Sequence, residues 1–203
     1  GFIIFISIVD YLKLKNKILF SLSILVIFLL TINFSDYVKY RYVGQFLDQI
    51  KTKEERDQFL ENSLYIKLYK SGIYVFKNNP WFGVGNKNYR VETCDTKKNS
   101  IHKEYHCLTH PHQIYIEMLS EHGIIGTVII LSVIFYLMFR IIRKIIDSKN
   151  YVQAGCLVYL LINFVPLLPS GSFFNNFNLT LFMINFSLMY AVNKETNIFS
   201  KKI

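Results

Sequence analysis

The chain has 203 residues, a formal net charge of +9 and a hydrophobic fraction of 52%. A soluble protein of this charge would be a candidate for nucleic-acid binding, but here the apolar residues stand in long uncharged blocks. The composition therefore excludes a nucleic-acid partner and predicts a protein that lies in the lipid bilayer.

Three uncharged blocks predict the membrane-spanning helices. Residues 18–34 and 123–139 are each close to the lower limit of about 17 apolar residues for one span. The third block, residues 150–193, is long enough for two spans, and its segment "PLLPSGSFFNNFN" (166–178) has the composition of a turn between them. We therefore expect an all-α, polytopic membrane protein with about four spans, near 18–34, 122–142, 151–168 and 174–193.

The expected organisation has three parts. The apolar opening "GFIIFISIV" (1–9) is interpreted as the stub of an earlier span, which would make the chain the C-terminal part of a longer protein. Residues 1–34 then contain this stub and the first full span, and residues 35–122 form a large external loop. Residues 123–203 contain the remaining spans and a tail.

The short loops predict the orientation of the spans. Lysines and arginines collect at 10–17, at 140–150 and after Val192, whereas the turn at 169–177 has no charged residue. Short segments rich in basic residues remain in the cytoplasm, so the alternation of the spans places residues 35–122 outside it.

Two helices are predicted in the loop. "TKEE" (52–55) is a capping-box pattern, which predicts a helix over 53–62. Residues 64–77 have the aromatic, apolar face of an amphipathic helix. This helix is expected either to lie at the lipid headgroups or to pack against the spans. It should end before Pro80, because the residue preceding a proline resists helical structure.

The segment "PWFGVGNKNYR" (80–90) combines a glycine-containing turn with a cation. Gly83 and Gly85 allow a tight turn that a bulky group can approach, although G-x-G alone is weak evidence of phosphate binding. The guanidinium of Arg90 has a fixed fork of donors that matches a phosphate. An ordinary surface ion pair is the alternative role for this arginine.

Cys94 and Cys107 both lie in the loop. Because an external compartment is oxidising, we expect them to form a disulfide that stabilises the fold by roughly 3 kcal/mol. Free thiols and metal ligation are the alternatives. Cys156 falls within a predicted span and is expected to be an inert packing residue.

The stretch "CLTHPHQIYIEMLSEHGIIG" (107–126) holds the strongest chemical signal. Pro111 suits the first position of a helix, which would place His112 in its first turn. The partial positive charge of a helix start favours a neutral imidazole, which can act as a general base. The free N–H groups of the same helix end favour an anion. The pattern therefore predicts a proton acceptor and an anion site together where the chain enters the membrane.

Three other interpretations stand beside this one. Structural roles are expected for His102, His106 and His122. A zinc site is an alternative whose possible ligands are His102, His106, Cys107, His110 and His112. Pro111 separates two of these ligands and argues against it. The third is a membrane transport protein, and the lack of ionisable residues inside the predicted spans argues against that class.

Two motifs resemble one protein family. His112-Gln113, nine further residues and then Gly123-Ile-Ile-Gly126 resemble the H-[N/S/Q]-x9-G-x-x-G signature of the O-antigen ligase and polymerase superfamily. The upstream segment "NPWFGVGNKNYR" (79–90) is similar to the N-P-x-x-G-x-G segment of that family, which ends in an aromatic residue followed by an arginine.

The resemblance implies a glycosyltransferase of the bacterial inner membrane that needs no metal and no cofactor. It implies transfer of a glycan from an undecaprenyl-diphosphate carrier to an acceptor hydroxyl at the periplasmic face, where residues 35–122 would lie. The acceptor is a lipid core in ligation, a growing glycan in repeat-unit polymerisation, or a protein, and the sequence leaves these three open.

The resemblance also implies roles for single residues. His112 would activate the acceptor hydroxyl as the catalytic residue, and Arg90 would hold the diphosphate. Lys67 and Lys70 stand where the family often has another arginine, although a lysine cannot form the bidentate fork. Further binding positions are expected at Gln113, His110, Gly83 and Gly85.

Overall fold

The computed structural model describes residues 13–44, 47, 52–166 and 168–197, and every element in this part of the chain is helical. The all-α fold class is therefore confirmed. The expected stub at 1–9 lies outside the described residues.

The helices fall into two compact units, one ending at Ser63 and the other beginning at Leu64. The first unit contains α1 (Leu14–Phe34), α2 (Asp36–Lys39), a π-helical turn (Tyr40–Gly44) and α3 (Lys53–Asn62). The second contains α4 (Leu64–Asn78), α5 (Tyr89–Cys94), α6 (Thr96–Ile101), α7 (Ile114–Ser148), α8 (Tyr151–Asn163) and α9 (Asn176–Ala191). The boundary between the units lies inside the segment 35–122.

The first unit contains a long apolar helix and a short polar one. No residue of α1 is buried, although two thirds of its side chains are apolar, and such a helix needs lipid or other protein around it. The polar helix α3 begins where the sequence predicts, because the Thr52 hydroxyl accepts a hydrogen bond from the Glu55 N–H at 3.1 Å. The predicted helix over 53–62 is therefore confirmed.

Two of the expected spans are long and apolar enough to cross a membrane, namely α1 with 21 residues and α7 with 35 residues. The other two are shorter than expected. The 13 residues of α8 and the 16 of α9 give lengths of about 20 and 24 Å, against a hydrocarbon core of about 30 Å. The expected spans over 151–168 and 174–193 are thus corrected to shorter helices.

Local sequence explains where these two helices end and begin. α8 ends at Asn163, and the Phe164 N–H donates a hydrogen bond to the carbonyl of Leu161. Val165 is not helical because the residue before a proline, here Pro166, disfavours helical structure. α9 begins after Asn175, whose side chain accepts a hydrogen bond from the Asn178 N–H at 2.7 Å. The turn between the helices is therefore longer than the sequence indicates.

Helix α4 packs against the start of α7. The contact is close because Gly72 has no side chain: a Cβ atom there would lie 2.4 Å from Cγ2 of Ile116 and 2.9 Å from Cβ of Pro111. Leu68 and Val75, on the same side of α4, are fully buried. The structure thus supports the second expectation for this helix, packing against a span.

A break in α7 at Gly123 is the feature that organises the second unit. Gly123 has φ 63° and ψ −173°, so the helix loses its regular hydrogen bonds on either side of it. The loop at 80–85 supplies the replacements. The N–H groups of Val84 and Gly85 donate to the carbonyls of Ser120 and Glu121, at 3.0 and 2.8 Å.

The exchange of hydrogen bonds is reciprocal. The N–H groups of Ile124 and Ile125 would bond to the carbonyls of Ser120 and Glu121 in a regular helix, and they bond instead to the carbonyls of Pro80 and Trp81, at 2.8 and 3.3 Å. The loop therefore satisfies four main-chain groups of α7 at the break, two carbonyls and two N–H groups.

Two glycines make this close pairing possible. A Cβ on Gly83 would lie 2.4 Å from the carbonyl carbon of Glu121, and a Cβ on Gly123 would lie 2.3 Å from the carbonyl carbon of Trp81. Both glycines also have positive φ angles, of 66° and 63°. The glycines of the two sequence motifs thus face each other, which explains physically why the motifs occur together.

Candidate functional site

His112 lies just before α7 and not inside its first turn. The helix begins at Ile114, and Gln113 is the N-cap, whose side-chain oxygen accepts a hydrogen bond from the Ile116 N–H at 2.8 Å. The prediction that Pro111 starts the helix is therefore wrong, because the Gln113 cap moves the start past it. His112 has φ 57°, a left-handed conformation that residues other than glycine rarely adopt.

The conformation of His112 is fixed from outside its own segment. Its carbonyl accepts a hydrogen bond from the Ser170 N–H at 2.9 Å, in the turn between α8 and α9. The ring of His110 lies 4.0 Å from the His112 ring between centroids, and the Tyr65 ring meets it edge-on at 5.9 Å. The imidazole of His112 is thus half-buried between α4 and the ring of His110.

His110 is the second imidazole of the pair. Its Nδ1 lies 2.9 Å from the hydroxyl oxygen of Thr109, within hydrogen-bond distance. Burial, and then the closeness of His112, lower the pKa of His110 below its ordinary value. At neutral pH this ring is therefore uncharged.

A cleft of about 620 Å³ opens beside the two histidines. One wall carries two cations and the histidine segment, namely Lys87, Arg90, Thr109 and His110. The opposite wall comes from the turn before α9 and its first residues, namely Ser172, Asn175, Asn176 and Phe177. The cleft brings Arg90 and His110 together. His112 does not line it, and its ring packs against the ring of His110.

Arg90 is exposed to the cleft from a firmly packed helix. Its neighbour Tyr89 is fully buried, and the Tyr89 hydroxyl donates to Oγ of Ser71 at 2.8 Å. Burial raises the pKa of Tyr89 to about 12, so its hydroxyl keeps its proton. Ser71 also accepts a hydrogen bond from the N–H of His106, at 3.0 Å. The arginine and histidine segments are thus anchored at the same point.

A disulfide joins the two segments a second time. Cys94 and Cys107 are bonded, with their Cα atoms 4.5 Å apart. Arg90 precedes Cys94 by one helical turn, and His110 follows Cys107 by three residues.

The disulfide also removes Cys107 from the possible zinc ligands. Among the described residues, no three His, Cys, Asp or Glu side chains are arranged to hold a metal ion.

The other expected binding residues take different positions. Gly83 is approached by the backbone of α7, and Gly85 has φ 96° in the same turn. The Gln113 side chain is buried as the cap of α7. Lys67 and Lys70 lie on α4 and do not line the cleft.

Two acidic residues of α7 contact both walls of the cleft, and the chemical patterns in the sequence do not identify them. The carboxyl group of Glu121 accepts hydrogen bonds from the N–H groups of Lys87 and Tyr89, and that of Glu117 accepts from Ser172 and Phe173. Both glutamates are 1% exposed. The available signal is their i, i+4 spacing on a helix that has no other Asp, Glu, Lys or Arg before Arg140.

The comparison with protein families agrees with the motif pair. A family model described as O-antigen ligase matches residues 1–131 of the 203, which includes both motifs. Comparisons with curated proteins and with solved structures find no match. The family carries out glycosyl transfer of the ligase or polymerase type, in a membrane setting. Since the match covers well over half of the chain, the chain belongs to the O-antigen ligase family.

Proposed function

We propose that this protein transfers a glycan from an undecaprenyl-diphosphate carrier to an acceptor hydroxyl at the periplasmic face of the bacterial inner membrane. The observation that carries the proposal is the cleft, where Arg90 and Lys87 stand on one wall with His110, beside the ring of His112. A diphosphate leaving group needs cations of this kind, and the acceptor hydroxyl needs a base.

His112 and Arg90 each have one role in the proposed reaction. The imidazole of His112 takes the proton of the acceptor hydroxyl while the acceptor oxygen forms a bond to the anomeric carbon of the glycan. The bond between that carbon and the diphosphate oxygen breaks, and its electron pair leaves with undecaprenyl diphosphate. Arg90 stabilises the negative charge that develops on the leaving oxygen.

The depth of the site supports a lipid-linked donor. His112 lies eleven residues before Gly123, where the uncharged run of α7 begins. An undecaprenyl chain remains in the bilayer, so its diphosphate is held at the headgroup level, which is the depth expected for the start of a span. Ligation to a lipid core is the leading reaction, and repeat-unit polymerisation and transfer to protein use the same donor step.

The test replaces His112 and Arg90 separately by alanine in the full-length protein. Each variant is expressed in cells that lack the native copy, and the glycan transferred to the cell surface is measured by gel. His112→Ala is expected to lower transfer by about 100-fold or more, the usual contribution of a general base. His102→Ala, which removes a histidine whose ring packs against Tyr105 and not against His110, is the control. Wild-type transfer by His112→Ala at normal membrane levels would refute the catalytic role.

A further inference from the structure

Two buried carboxyl groups, one helical turn apart on α7, each hold a different wall of the cleft. Glu121 accepts from the N–H of Lys87 at 2.8 Å and from the N–H of Tyr89 at 3.4 Å, next to Arg90. Glu117 accepts from the hydroxyl of Ser172 and from the N–H of Phe173, the latter at 2.9 Å. One rigid helix is thus bonded to both sides of the cleft.

The partners of these carboxyl groups are main-chain groups and a hydroxyl rather than basic side chains. Among the described residues, the salt bridges of the structure involve neither Glu117 nor Glu121. A buried carboxyl group is costly unless hydrogen bonds compensate for its lost hydration. Here those bonds are made to the segments that carry the cleft, so the same contacts that make burial possible also fix the position of its walls.

We propose that Glu121 and Glu117 are the positioning residues of the cleft. Glu121 sets the place of the segment that presents Lys87 and Arg90, and Glu117 sets the place of the turn opposite. The Lys87 ammonium group, which donates to Oδ1 of Asn176 at 3.3 Å, spans the cleft between the two walls. This proposal rests on the proposed function in one respect only, that the cleft binds the diphosphate of the donor.

The two positions differ in their need for a carboxylate. Glu121 faces two N–H donors, whose direction the backbone fixes, and a glutamine would offer one acceptor oxygen and one NH2 group that repels the second donor. Glu117 faces one N–H and one hydroxyl. The hydroxyl of Ser172 can rotate to accept, so a glutamine at position 117 can satisfy both partners. The same substitution is therefore expected to be much more harmful at Glu121.

The experiment measures binding of undecaprenyl diphosphate to the full-length protein in lipid nanodiscs, together with the unfolding temperature. Glu121→Gln is expected to weaken binding roughly tenfold, the effect of one buried donor left unpaired, without unfolding the protein. Glu117→Gln is expected to show a clearly smaller loss. Glu104→Gln, the same change at an exposed glutamate of the same unit, is the matched control.

Arg90→Ala distinguishes a failure of the proposed function from a failure of the positioning proposal alone. If Arg90→Ala binds undecaprenyl diphosphate as the wild type does, the cleft is not the donor site, and the proposed function and this proposal both fail. If Arg90→Ala loses affinity while Glu121→Gln keeps it, the positioning proposal alone is refuted. An equal loss in Glu117→Gln and Glu121→Gln would refute the argument from donor geometry.

A second variant keeps the test decisive if Glu121→Gln does not fold. Glu121→Asp retains both acceptor oxygens but is shorter by one methylene group, so it should draw the Lys87–Arg90 segment out of place and weaken binding at an unchanged unfolding temperature. Wild-type affinity in a folded Glu121→Asp protein would overturn the proposal.

Discussion

At the scale of single residues, His112 has a strained backbone conformation that the sequence does not reveal. A left-handed backbone costs a residue other than glycine on the order of 1–2 kcal/mol. It persists here because Gln113 caps the following helix and Ser170 binds the His112 carbonyl. Strain that the surroundings enforce in this way is typical of functional sites. From the sequence, Pro111 indicates an earlier start of the helix. The contact with Ser170 is tertiary, so the sequence does not show it.

The strained backbone predicts which substitutions at position 112 preserve the fold. Asparagine tolerates the left-handed region, so His112→Asn should keep the wild-type free energy of unfolding while losing transfer. His112→Val, with a branched Cβ, should be destabilised by about 1–2 kcal/mol. Chemical denaturation of the full-length protein in detergent measures both. Equal stability of the two variants would contradict the left-handed conformation.

The lowered pKa of His110 predicts a loss of stability in acid. The unfolded chain takes up a proton at this residue as the pH falls below about 6.5, whereas the folded protein resists it until the pH reaches the lowered pKa. Folded stability is therefore highest above about pH 6.5 and decreases below it. Unfolding temperatures at about pH 8 and pH 5.5 should show a smaller decrease in His110→Asn than in the wild type. An identical decrease in both proteins would show that His110 does not contribute.

At the scale of elements, the pairing of the 80–85 loop with the broken helix α7 connects the two motifs. The sequence shows correctly that a group approaches Gly83 closely, but it does not show which group. In the structure the α7 backbone near Glu121 approaches it. The sequence does not show this, because only the tertiary structure reveals that the break at Gly123 releases main-chain groups. The capping box before α3, by contrast, depends on neighbouring residues alone and is predictable.

The glycine contacts predict that this pairing cannot accept a methyl group. Gly83→Ala and Gly123→Ala each add a Cβ within 2.4 Å of main-chain atoms at a positive φ, and each should cost about 2 kcal/mol or more in the free energy of unfolding. Gly171→Ala is the control, because a Cβ there would meet only the flexible amide of Asn178, at 3.0 Å. Limited proteolysis of the loop measures the effect. Wild-type resistance in both Gly83→Ala and Gly123→Ala would contradict the pairing.

At the scale of the whole molecule, the cleft joins segments that are far apart in the chain. Its walls come from residues 87–90, 109–110 and 172–177. The first of these segments belongs to a motif and the second lies just before the other motif, so both could be singled out from the sequence. The third could not, because the uncharged turn before α9 has no chemical pattern. Tertiary hydrogen bonds bring it to the site, from Ser172 and Phe173 to Glu117 and from Lys87 to Asn176.

Removal of the disulfide is expected to lower the stability of the protein and to disorder the cleft. Cys94→Ser with Cys107→Ser removes a bond that closes a loop of 13 residues, which should lower the free energy of unfolding by roughly 3 kcal/mol. Cys156→Ser, at a free and buried cysteine, is the control for thiol replacement. Alkylation of the native protein should label Cys94 and Cys107 only after reduction. Labelling without a reductant would contradict the bond.

The rate at which the purified full-length protein releases undecaprenyl diphosphate tests the central claim most directly, since that product is common to every acceptor. His112→Asn keeps the backbone conformation and removes the base, so we expect normal binding of the lipid-linked donor and a release rate lowered by about 100-fold or more. His102→Asn should release at the wild-type rate. A wild-type release rate in His112→Asn would contradict the assignment of His112 as the general base.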